Sequence, residues 1–149
     1  MSESDRLDLG KLTQEIVSSR LMDVADVSAV VGEVVKKTIV AAVGAARARK
    51  EDPHLVVGDV CFGAMKGLML IDKDLPAAAS AILANLSEAA NEVHVDPQEM
   101  LTWALEGFAK LTTVAQDDAI YKIRAAIDKQ FMGAGDVLDK LCKQEKSKA

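Results

Sequence analysis

Glu51 and His54 stand in an E-x-x-H arrangement, the spacing at which one helix can offer two ligands to iron or a similar ion. Pro53 lies between them, and Asp52-Pro53 reads as a helix start, with Asp at the N-cap and Pro at the first helical position. Glu51 then falls outside the helix, and the two side chains do not share a face. A bundle dimetal centre also needs a second E-x-x-H and further inward carboxylates, which the sequence does not supply. No metal ion or cofactor is expected. His94, just before the second Asp-Pro pair at Asp96-Pro97, is expected at a helix end.

Other reactive residues lack the spacing that chemistry needs. Cys61 and Cys142 are too few and too far apart for a disulfide framework or a zinc site. Cys61 reads as a small core residue, and Cys142, near the chain end, as partly exposed and oxidisable. There is no phosphate-binding loop, dinucleotide fingerprint, C-x-x-C or G-x-S-x-G. The M-G-A-G-D run around Gly133 follows a helical pattern and reads as its stop. Glu88 and Glu92 are expected on a solvated helix face. Arg47, Arg49 and Lys50 close a helical pattern, where cations complement the negative end of the helix dipole, so an anion patch is the weaker reading. Catalysis is therefore not expected, and attention falls on contact residues. Gly63 and Gly67 form a G-x-x-x-G step that lets another backbone come close, as a packing site first and a dimer contact second. With Met65 and Trp103 they are the candidate contact residues.

These residues sit in a chain that reads as helical throughout. Half of its 149 residues are hydrophobic and only 3% aromatic, so a core must be built from Val, Leu, Ile, Ala and Met. That composition, with three prolines, favours closely packed helices in one domain of residues 1–149. Leu55–Ile71 is the most apolar stretch and is interrupted only by Asp59 and Lys66, so it is expected as a central helix. It is slightly short for a membrane span and carries two charges and three glycines. Leu75–Val93 carries the cleanest amphipathic stripe: Leu75, Ala79, Ile82, Leu86, Ala89, Ala90 and Val93.

Around these two, the pattern predicts a helix over 5–21 with Leu9, Leu12, Ile16 and, at its end, Leu21 near one face, only partly docked within an N-terminal segment 1–22. A second spans about Val24 to Lys50, with Val27, Val31, Val34, Val35, Ala42, Ala45 and Ala46 inward. A third starts at Asp96 with a capping box to Glu99 and carries Leu101, Ala104, Leu105, Phe108 and Leu111 on one face. A fourth, capped by Asp117 or Asp118, carries Ile120, Ile123, Ile127 and Phe131. A short last helix is capped by Asp136, and residues 143–149 form a solvated tail. The fold expected is an all-α compact bundle of six or seven helices, antiparallel in tendency. Asp52, Pro53, Gly63 and Lys66 recur as Asp96, Pro97, Gly107 and Lys110 at a constant offset of 44 residues. That is the size of a helical-hairpin repeat in HEAT-like solenoids, and it is consistent with two related hairpins packed together.

The formal charge of −5 opposes general nucleic-acid binding. The first ten residues have neither the basic nor the apolar region of a secretory signal, so a reducing, cytoplasmic setting is expected. A non-enzymatic scaffold, adaptor or regulatory protein that binds protein partners and self-associates is the leading expectation. In composition alone the chain resembles the phasins that cover bacterial polyester granules: short, acidic, alanine-rich and helical. That resemblance implies the alternative, an amphipathic coat or carrier for lipid or a polymer granule, and assigns no residues. The acidic polar face of Leu75–Val93 weighs against it, because interfacial helices favour Lys and Arg there.

Overall fold

The computed structural model describes residues 3–22, 27–71 and 73–148, with side chains from residue 10 onward. The elements are α1 (Glu3–Leu21), α2 (Val27–Ala48), α3 (Pro53–Leu70), α4 (Leu75–Val93), α5 (Pro97–Ala109), a 3₁₀ turn (Lys110–Thr113), α6 (Asp117–Gln130) and α7 (Ala134–Lys148). The all-α bundle is as expected, with no strand among the described residues. The expected side chain of Leu9, the start at Val24, the stop at Asp72 and the terminal Ala149 lie outside the described residues.

The helices form two layers. In one, α1, α3, α5 and α7 neighbour each other in that order; in the other, α2, α4 and α6 do so. Within a layer the helices run parallel. Gly10 meets Asp59 and Gly63 while Val17 meets Gly67, so α1 follows α3, and Gly32 meets Ala81 while Lys36 reaches Glu88, so α2 follows α4. Between layers, consecutive helices run antiparallel, as the pairs Arg124–Asp139 and Lys146–Asp117 fix for α6 and α7. The chain is thus α1 followed by three stacked hairpins, one more than the 44-residue echo suggests.

The echo has a physical cause. A side chain on Gly63 would collide with the backbone carbonyl of Gly10 on α1, and one on Gly107 would collide with that of Gly58 on α3. Each glycine sits nearly three turns into a helix started by Asp-Pro, and each admits the preceding helix of its own layer. The Asp-Pro starts also perform alike: Asp52 accepts from the His54 N–H at 2.9 Å and Asp96 from the Gln98 N–H at 2.7 Å. Two equivalent stops set the register of the layer.

α3 is the buried centre, with Val56, Val57, Val60, Cys61, Ala64, Met65 and Leu68 in the core. Leu55 and Leu70 at its ends are exposed. α4 runs from Leu75 to Val93 as its pattern predicts, and all seven stripe residues are buried.

Five expectations need correction. α1 buries Thr13, Val17 and Leu21, not the Leu12 and Ile16 side; Leu12 is 52% exposed. The glycine groove of α3 admits close backbone approach, and α1 meets it with Gly10, Gln14 and Val17. On α2, Ile39 and Val43 are fully buried and Ala45 is exposed. α6 has Gln116 at its N-cap without a side-chain bond, so Asp117 and Asp118 lie inside the first turn, where they favour the helix dipole. α7 continues to Lys148, so the expected tail is helical. Its start is held by Asp128, which accepts the Gly135 N–H at 3.0 Å, while Asp136 bonds Arg124 instead.

Candidate functional site

One group of polar residues that the fold brings together lies along the layer α1–α3–α5–α7. With Gly58 set against Gly107, residues one turn earlier on each helix also meet: His54 on α3 stacks on Trp103 of α5, ring centroids 5.2 Å apart and planes 19° apart. His54 Nε2 also contacts Glu106 Oε2 in a hydrogen bond, both side chains about one-third exposed. One turn further on, Lys110 Nζ lies 3.4 Å from Asp59 Oδ1. Two polar pairs therefore bridge α3 and α5 beside the glycine contact.

Of these pairs, His54, Glu106 and Lys110 line a cleft of about 290 Å³, with Leu141, Glu145 and Lys148 of α7 on its far side. Its floor is Leu55, Gly58 and Ala109. A histidine held by a carboxylate can accept or donate a proton, but nucleophilic catalysis also needs an attacking group in reach. The lining includes no hydroxyl or thiol. Its chemistry is that of a small amphipathic groove, charged at the rim and apolar at the floor. A second cleft of about 350 Å³ separates α1 from α3, with Lys11, Asp59, Phe62 and Lys66 around it.

The expected contact residues separate. Gly63 and Gly67 are covered by α1 of the same chain; a side chain on Gly67 would lie 2.7 Å from the Gln14 carbonyl and 3.1 Å from Val17 Cβ. Their close contact is intramolecular. Met65 is completely buried. Of the four, Trp103 alone is partly exposed, beside His54.

The remaining candidates resolve into structural roles. Arg47 donates to the Val93 carbonyl at the end of α4, so part of the R-A-R-K cluster closes a neighbouring helix instead of its own. His94 ends α4 in the left-handed conformation, φ 57°, as a helix-end residue. Glu88 is not simply solvated: it accepts from Lys36 at 2.7 Å, and Glu92 lies 3.6 Å from the same ammonium. The Lys36 hydrogen bond holds the Glu88 carboxylate below its ordinary range, and Glu88 raises Lys36 in return. Burial pushes the Cys61 thiol up to about 12, leaving it without nucleophilic thiolate at neutral pH. Cys142 is 8% exposed, not open to solvent; burial first and Asp139 second raise its thiol. No group of three or more His, Cys, Asp or Glu side chains able to hold a metal occurs among the described residues.

The His54–Glu106–Trp103 cluster escapes a reading of the sequence because its members are about fifty residues apart. The usable signal was the glycine pair: once Gly58 and Gly107 are in register, His54 and Trp103 follow one turn back. No known family model matches the chain, and neither a curated protein nor a solved structure matches it significantly. Among the described residues no helix is long and apolar enough to cross a membrane.

Proposed function

We propose that the chain is a non-enzymatic helical scaffold or regulatory protein, which binds protein partners and associates with itself. The observation that supports this most directly is the two-layer stack of parallel helices. Stacked hairpins expose helix-wide grooves between neighbours, and such surfaces serve as binding faces in helical-repeat proteins generally. The α3–α5–α7 cleft has the matching chemistry, an apolar floor of Leu55 and Ala109 between charged rims, suited to an apolar side chain flanked by polar ones. Two free, buried cysteines agree with a reducing, cytoplasmic setting.

Affinity purification from the source cell with chemical cross-linking tests the binding role. Partner cross-links are expected to cluster on α3, α5 and α7 and to be lost in Leu55→Glu, whose side chain is 43% exposed and can be replaced without opening the core. Cross-links spread evenly over all faces, and unchanged by the substitution, would count against it.

A further inference from the structure

Among the described residues the two layers are unequal: one has four helices, the other three. α2 therefore ends its layer while α1 overhangs it. The side of α2 that meets α4 carries Gly32 and Lys36. At 100° per residue, the opposite side carries Val30, Val34, Ala41, Ala45 and Ala48, with Lys37 among them. Val30 is 37% exposed, Val34 half-buried, and the three alanines are exposed. α1 adds to the same gap. Its outer flank bears Lys11 and Gln14 at the α1–α3 cleft, so the opposite flank, with Leu12 and Ile16, lies toward the shorter layer. Those are the α1 residues whose pattern suggested a buried face.

We infer that this step, lined by Val30, Val34, Ala41 and Ala45 of α2 and by Leu12 and Ile16 of α1, is the interface with a second copy of this chain, α2 against α2 in antiparallel two-fold contact. The inference rests on the self-associating role proposed above and names its surface. Three features favour a second copy. Along α2 the bulky residues are at the start and the small ones at the end, so antiparallel pairing seats Val30 and Val34 of each copy on Ala45 and Ala41 of the other. Glu33 and Lys37, 3.8 Å apart on one edge, face the same edge of the other copy, where each can exchange partners. The area also suffices. A 22-residue helix is about 33 Å long, and a face two helices wide covers roughly 650 Å² per copy, or about 1,300 Å² in all, within the range of stable interfaces. α2 alone would bury about half of that, so the α1 flank is required.

The test is molar mass by light scattering at micromolar concentration, for the full chain and for Ala41→Glu. The native chain is expected to have twice the chain mass and Ala41→Glu the mass of one chain, with an unchanged helical circular-dichroism spectrum. A second variant, Lys37→Cys, lies near the two-fold axis and is expected to form a disulfide-linked dimer on mild oxidation, whereas Glu99→Cys on α5 is not. A dimeric Ala41→Glu overturns the proposed surface and leaves self-association standing. A monomeric native chain overturns both.

Discussion

Alanine at Gly107 and alanine at Gly58 probe one helix contact from its two sides, and the structure assigns them opposite outcomes. A Cβ on Gly107 would lie 3.1 Å from the Gly58 carbonyl carbon, nearer still to its oxygen, and 3.1 Å from Cys61 Cβ. Backbone cannot step aside as a side chain can, so α3 and α5 must separate by a substantial fraction of an ångström. Overpacking of this kind costs about 1–3 kcal/mol, and replacing a helical glycine by alanine returns about 0.5–1 kcal/mol. The net expectation is a loss of about 1–2 kcal/mol, or roughly 3–8 °C in melting temperature for a chain of this size. A Cβ on Gly58 instead meets the Trp103 carbonyl at 3.5 Å and the Gly107 nitrogen at 3.8 Å, ordinary contacts. Gly58→Ala should keep the helix gain, leaving stability unchanged or higher by up to about 1 kcal/mol. Urea and thermal unfolding of the two variants and the parent, followed by circular dichroism at one pH, measure the difference. Equal effects, or a Gly107→Ala more stable than Gly58→Ala, would refute the parallel α3–α5 crossing and the register that aligns His54 with Trp103.

Other expectations follow from single contacts. Asp96→Ala removes the acceptor of the Gln98 N–H at the start of α5 and should cost about 1 kcal/mol in urea unfolding, whereas Asp96→Asn should cost little. Because Lys36 holds the Glu88 carboxylate below its ordinary range, the pair contributes stability above that range, near pH 4.3 in model peptides, and loses it as pH falls through the lowered value. The melting difference between the parent and Glu88→Gln should accordingly be present at pH 6 and shrink toward pH 3. Cys61 should react with a thiol reagent in native buffer no faster than the chain opens, with the rate rising steeply in urea, because its thiol is fully buried. The apolar faces of α3 and α4 are used inside the stack, so flotation with neutral or anionic vesicles should leave the protein behind; co-migration would revive the coat role.

Helix positions were legible where one local signal fixed them. Asp-Pro starts set α3 and α5, and a stripe of seven apolar residues set α4. Ends governed by distant partners were not legible. α7 takes its start from Asp128 on another helix, and the Thr112 and Thr113 hydroxyls bond back to the Ala109 and Lys110 carbonyls, closing α5 in a 3₁₀ turn. The inward face of α1 departs from its periodicity because the α3 glycines receive the backbone of Gly10 and Gln14 and the side chain of Val17, a contact set by the partner helix. The His54–Glu106 pair had no local signal, since layer register alone brings those residues together. The E-x-x-H spelling at Glu51 includes His54, but Pro53 starts α3 between the two, and His54 pairs with Glu106 on α5 instead.

Native mass spectrometry of the protein purified from its source cell tests the scaffold role most directly, since it reports subunit number and retained ligand in one spectrum. A dimer mass, alone or with a bound polypeptide, is the expected result. A single chain carrying a stoichiometric metal ion, chromophore or other small cofactor would contradict it.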